Sequence, residues 1–145
     1  MNHDTYPDAY LRDILTGVKT VAVVGASPRP HRPSHRVMRY LQQRGYRAIP
    51  VNPFALGSTI NGERVYASLA ELPEAIDMVD VFRRTEAAGD AVDDAIAGGA
   101  KIVWMQLGVR DDKAAARAEA KGLRVVMNRC PAIEIPRLGL GPPEH

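Results

Sequence analysis

Continuous apolar runs alternate along this chain with apolar residues at helical spacing, and that alternation predicts the fold. Thr20-Val21-Ala22-Val23-Val24 is an unbroken run of β-branched and small residues, the pattern of a strand buried on both faces of a parallel sheet, and it stops at Gly25. Ser34 opens a segment in which Val37, Met38 and Leu41 share one helical face, and Gly45 supplies a left-handed stop. Arg47 to Val51 reads as a second strand; its Pro50 suggests an edge or a strand end, and Asn52-Pro53 closes it. Between Phe54 and Pro73 apolar residues thin out and Gly57 and Gly62 break regularity, so a loop or short hairpin is expected, then a brief helical turn at Ser68 to Glu71.

The strand-helix alternation then resumes. Met78 to Phe82 is a third strand, and Thr85 caps a helix in which Ala88, Ala91, Val92 and Ala95 recur at helical spacing before Gly98-Gly99. Lys101 to Met105 is the fourth strand, Asp111 and Asp112 favour a helix start through its dipole, and Leu123 to Met127 is the fifth. Pro7 to Gly17 forms a short amphipathic helix ahead of these units; Pro131 to Leu138 is an apolar-containing extension after them, and 139–145 a loose tail. The class predicted is α/β, a Rossmann-like doubly wound five-stranded parallel sheet of order 3-2-1-4-5 with helices on both faces. With 145 residues, one domain spanning 1–145 is expected.

Composition narrows the class of function. An apolar fraction of 46% and a charged fraction of 25% are ordinary for a globular protein. No apolar run has the ~18–20 residues that span a bilayer, and the polar start lacks the order of a signal peptide, so no membrane partner and a cytoplasmic location are expected. The lone Cys130 excludes an internal disulfide framework, and no His/Asp/Glu set has metal-ligand spacing. Net charge is only +2, but its distribution is uneven. From Ile14 to Asn61 there is no Asp or Glu, while Lys19, Arg29, Arg32, Arg36, Arg39, Arg44 and Arg47 fall there, which gives that part a positive field. A nucleic-acid partner is not expected: 6% aromatic residues with no stacking motif beside the arginines offer little to a base.

In such a sheet ligands bind beyond the carboxyl ends of the strands, which makes the strand-end residues the candidates. Gly25 and Ala26 allow a diphosphate close to the main chain, Ser27 offers a hydroxyl beside Pro28, and the following helix start carries partial positive charge. The loop that follows adds Arg29, Arg32, Ser34, His35 and Arg36, and guanidinium forks suit phosphate oxygens. The remaining strand ends are Asn52-Pro53, Phe82-Arg83-Arg84, Gln106-Leu107-Gly108 and Asn128-Arg129-Cys130. A GxGxxG fingerprint is missing, and Asn52-Pro53 stands where an acid would hold the ribose of NAD. Arg47 and its neighbours favour a ligand with an extra ribose phosphate, coenzyme A or NADP, and the residues alone do not separate the two.

The stretches Val24 to Ser27, His35 to Leu41, Gly45-Tyr46, Ile49 to Pro53, Asp77 to Arg83 and Trp104 to Gly108 together resemble the small stand-alone CoA-binding protein family. That family is similar in turn to the CoA-binding domain of the succinyl-CoA synthetase alpha subunit and of ADP-forming acyl-CoA synthetases. The resemblance implies coenzyme A or an acyl-CoA as ligand. It places the phosphates at Gly25 to Ser27, the adenosine by Val81 to Arg83, and the pantetheine arm along Gln106 to Gly108. Asn128-Arg129-Cys130-Pro131 looks like the Asn-Cys-Pro segment of those synthetases with Arg129 inserted.

The synthetases carry their phosphorylated histidine in a following domain, so the resemblance carries no catalysis to this chain. His3, His31, His35 and His145 lack a nucleophile partner at a recognisable spacing. A binding module without chemistry of its own is therefore expected. The alternatives are an NADP-type nucleotide-binding protein, a CoA-thiol redox protein using Cys130, and a regulatory partner of an acyl-CoA synthetase. A homodimer or a CoA-using enzyme is the macromolecular partner these readings allow. Asp80 interrupts an apolar strand and is expected to pair with a nearby arginine.

Overall fold

The structure, a computed structural model, describes residues 1–142. In chain order it contains α1 (Asp8–Gly17), β1 (Thr20–Val24), α2 (Pro33–Gln43), β2 (Arg47–Val51), a two-stranded hairpin of β3 (Thr59–Ile60) and β4 (Glu63–Arg64), and β5 (Met78–Val81). It continues with α3 (Thr85–Ala97), β6 (Ile102–Met105), α4 (Asp112–Ala120), β7 (Arg124–Val126) and α5 (Pro131–Arg137). Single-turn 3-10 helices at Pro53–Ala55 and Leu69–Glu71 flank the hairpin. The expected extension after the last strand is thus a helix, opened by Pro131 at its first position. Of the tail expected over 139–145, residues 143–145, including His145, lie outside the described residues.

The strands pair in parallel in the order β2-β1-β5-β6-β7, and the α/β class with helices on both faces holds. Alternate β1 residues divide two cores. Val21 and Val23 face Leu11, Ile14 and Leu15 of α1 and Met38 and Leu41 of α2. Ala22 and Val24 face Ala88, Ala91 and Val92 of α3 and Ala114 and Ala118 of α4. That alternation makes β1 apolar and buried from Val21 to Val24, as its continuous run predicts.

The strand order needs one correction. With the five parallel strands counted along the chain, 3-2-1-4-5 puts Met78–Val81 outside β2, but it lies on the other side of β1, giving 2-1-3-4-5. The connection from β2 to β5, which holds only the hairpin and two short turns, carries the chain past β1. Asp77 then ties the start of β5 to β1, its Oδ2 accepting from the Lys19 amide at 2.9 Å and the Thr20 amide at 3.2 Å. The switch between crossovers on opposite faces therefore falls between β1 and β5.

Both sheet edges are covered, which blunts pairing with other chains. On β2, Tyr66 lies alongside: its carbonyl accepts from Asn52 at 2.8 Å and its amide donates to Pro50 at 3.1 Å. The proline thus sits in an edge strand, where its missing N–H costs no ladder bond. On β7, hydroxyls cover the edge: Tyr10 accepts from the Val125 amide and Tyr6 from the Met127 amide, at 3.2 and 2.8 Å.

Candidate functional site

At the carboxyl ends of β1, β5 and β6 the chain leaves a cleft of about 1110 Å³ over the switch point. Its narrowest constraint is Gly25. The residue has φ +89°, and a Cβ there would lie 2.2 Å from the Phe82 carbonyl oxygen, so the turn admits glycine alone. The close approach has a cause in the sheet: Gly25 donates to Val51 at 2.9 Å while Phe82 donates to Val24 at 2.8 Å, which brings the ends of three strands together.

Beyond Gly25 the turn is held by its own hydroxyls. Ser34 at the start of α2 accepts from the Ser27 amide at 3.0 Å, and Ser27 accepts from the Arg29 amide at 3.2 Å. Arg36 donates to the His31 carbonyl at 2.7 Å and fixes the intervening loop to α2. The Ser27 amide is therefore engaged, and what the loop turns to the cleft is guanidinium groups and the Ser34 O–H. Arg29, Arg32, Arg36, Arg83 and Arg84 all line the cleft, and among the described residues none forms an ion pair.

Of the residues expected at the site, Gly25, Ser27, Arg29, Arg32, Ser34, Arg36, Phe82, Arg83, Gln106 and Leu107 line this cleft. The others support it or stand apart. Ala26 is buried, and its carbonyl accepts from Asn52 Nδ2 at 2.8 Å. Asn52 also caps the turn begun by Pro53, accepting from the Phe54 amide at 2.9 Å. His35 and Val81 are buried in the body of the protein and Pro28 is exposed beside the loop. Gly108 is outside the lining, its amide donating to Asn128 Oδ1 at 2.7 Å.

The strand-end candidates Arg84 and Cys130 line the cleft too, and so do Pro33, Val37, Tyr40, Val109, Ala132 and Ile133, which the sequence does not single out. Residues 33, 36, 37 and 40 recur at helical spacing on α2, a second face beside the core one. Pro131 after Cys130 is a helix-start signal that would have placed Ala132 and Ile133 at the rim. Leu107 and Ile133 are 57% and 49% exposed, so the half of the cleft away from the arginine loop has an apolar rim.

Two expectations about single residues are corrected. Asp80 pairs with no arginine; Gln106 Nε2 donates to both its carboxylate oxygens, at 2.9 and 3.2 Å, because the arginines lie above the strand end and cannot reach into the sheet. Thr85 is the first residue of α3, with Arg84 at the cap position, and its hydroxyl instead contacts the Gly108 carbonyl at 3.4 Å. Cys130 lines the cleft, but burial pushes its thiol up and the Asp80 charge adds to this, against the hydrogen bonds from the Ala132 and Ile133 amides and Gln106. A protonated, buried thiol is a poor nucleophile.

A parallel sheet with a glycine-only turn at its switch point, overhung by arginines with no acidic partners, defines an α/β protein of the nucleotide-binding type. Residues 19–136 match the CoA binding domain family, and the chain belongs to it. It is 38% identical over 125 residues to the uncharacterized protein YneT of Bacillus subtilis (strain 168), covering 84% of this chain and 89% of that protein. The solved structure of a hypothetical protein from Pyrococcus horikoshii OT3 is 38% identical, with a TM-score of 0.88 over 95% of this chain and 96% of that one. The alpha subunit of acetate–CoA ligase (ADP-forming) I of Pyrococcus furiosus is 30% identical over 95 residues, which cover 63% of this chain and 21% of the subunit. No helix among the described residues is long and apolar enough to cross a membrane.

Proposed function

We propose that the cleft binds coenzyme A or an acyl-CoA, and that the chain performs no chemistry on it. The observation that carries this reading is the set of five cleft arginines without carboxylate partners over a turn that admits only glycine. A ligand with a diphosphate and a ribose phosphate supplies the missing negative charge, and Arg29, Arg32 and Arg36 take it as bidentate forks. The uncharged arm then runs over Gln106 and Leu107 to the apolar rim. The long ligase subunit, of which the related segment is 21%, supports a CoA-using enzyme as the macromolecular partner.

The direct test is a thermal-shift titration of the full chain with CoA and, separately, with NADP. Ligand at a hundredfold excess over its dissociation constant raises stability by about 2.7 kcal/mol. The expected result is a clear shift with CoA and little with NADP. A shift with NADP and none with CoA overturns the reading.

A further inference from the structure

Asp80 is a charge in a place that packing alone would leave apolar. It has 0% exposure in the middle of β5, between Val23 of β1 and Trp104 of β6. Gln106 Nε2 is its hydrogen-bond partner, donating to Oδ1 at 2.9 Å and to Oδ2 at 3.2 Å. Burial pushes the carboxyl up to about 7, against the pull of the Gln106 hydrogen bond. At pH 8.5 the group is an anion, which can only accept hydrogen bonds, so the Gln106 amide must face it with nitrogen.

The other end of that amide is thereby decided. Among the described residues, Arg44 Nε is the buried side-chain nitrogen or oxygen atom that has no partner. Gln106 Oε1 accepts from no protein donor among the described residues and does not share that fate, so it is not fully enclosed, while the side chain's hydrogen bond with Cys130 sets it beside that thiol. Gln106 itself is only 6% exposed and lines the cleft, which makes the cleft the place where Oε1 emerges. The position along the rim matters as well. Gln106 and Cys130 follow β6 and β7, two and three strands from β1, which is roughly 10–14 Å from the arginine loop at the usual strand spacing. That end of the cleft suits the uncharged end of a ligand whose phosphates lie at Gly25.

We propose that Asp80 is a positioning residue that fixes the hydrogen-bonding polarity of the cleft floor, turning the Gln106 carbonyl oxygen to the ligand so that the cleft selects the free thiol of CoA over its acyl thioesters. This rests on the CoA reading above. A thiol donates its S–H to Oε1. A thioester has no such hydrogen and brings a carbonyl oxygen instead, so acceptor meets acceptor where the bound ligand displaces water from Oε1.

The test is calorimetric titration of the full chain at pH 8.5 with CoA and with acetyl-CoA, using wild type, Asp80→Asn and Gln106→Leu, with circular dichroism to confirm the fold. Wild type is expected to prefer CoA by about tenfold, the factor one unsatisfied hydrogen bond makes. Asn at position 80 both donates and accepts, so it lets the Gln106 amide sit either way. The preference should fall to within about twofold in Asp80→Asn and in Gln106→Leu, a change in ratio that loss of general stability does not produce. Equal affinity of wild type for the two ligands, or a tenfold preference retained in the variants, overturns this proposal and leaves the CoA reading standing. Wild type that binds neither ligand overturns both.

Discussion

Two arginine-rich corners of this molecule are built in opposite ways. At the β7 side the arginines are latched. Arg110 holds Asp4 at 2.8 Å and Asp112 at 2.9 Å, Arg137 holds Asp8 at 3.0 Å and Glu134 at 2.9 Å, and Arg124 pairs with Asp13. Arg129 lies over the Tyr6 ring, 5.1 Å from its centroid. Together they fasten the N-terminal segment across the sheet edge. Around the cleft, Arg29, Arg32, Arg83 and Arg84 have no carboxylate within reach among the described residues. The same side chain is a fastener where its partner is already present and a receptor where the partner must arrive, and composition does not distinguish the two.

The sharpest way to break the cleft side leaves every charge in place. Gly25→Ala puts a Cβ 2.2 Å from the Phe82 carbonyl oxygen at φ +89°, so β1 and β5 must separate where their ends frame the site. Steric strain of this kind destabilises by about 3 kcal/mol or more, and a Gly25→Ala protein that melts like wild type and binds CoA equally well removes the turn from the site. CoA affinity should fall below detection in calorimetry, although all five cleft arginines remain.

The element boundaries were largely legible because β1 and the core faces of α2 and α3 carry unmixed periodicities. The strand order was not, since it depends on the Asp77 carboxylate meeting two amides that lie 57 and 58 residues away. That error moved the switch point. The order 3-2-1-4-5 places it beside the fourth strand, whereas the observed order places Phe82 and Arg83 directly against Gly25. The acid-free stretch reveals the loop arginines, and Arg83 and Arg84 are legible from their place at the end of a strand. Asn52, Ala26 and Gly108 are expected as ligand contacts from their places at strand ends. A strand end also needs capping, and these residues do that work for the backbone.

Asp80 extends the contrast from exposed charges to a buried one, and its effect is read in stability against pH. Burial raises its folded pKa to about 7 from the model-peptide 3.8, so between those values the folded protein keeps a proton that the unfolded chain has lost. The stability this group contributes is therefore complete below about pH 4, declines as pH rises through 7, and is flat above. The expected difference between pH 5 and pH 8 is on the order of 2–3 kcal/mol. Asp80→Asn does not titrate, so denaturant unfolding should show it gaining on wild type across that window and exceeding it at pH 8. A difference between the two proteins that stays constant from pH 5 to 8 would show that the carboxyl titrates normally.

The mildest substitutions test the contrast most directly, because they exchange one arginine for glutamine in each corner. Arg83→Gln removes a cleft cation that has nothing to release in the free protein, so its melting temperature should stay within about 1 °C of wild type. CoA affinity should drop about tenfold, as expected for one charge-assisted hydrogen bond, with a weaker dependence on salt. Arg110→Gln should do the reverse. Its two partners are exposed and such pairs stabilise weakly, so the melting temperature should fall by at most a few degrees while CoA affinity is unchanged. If Arg110→Gln weakened CoA binding as much as Arg83→Gln, the N-terminal latch and the cleft would be energetically coupled. The division between fastening and receiving arginines would then describe their contacts and not their function.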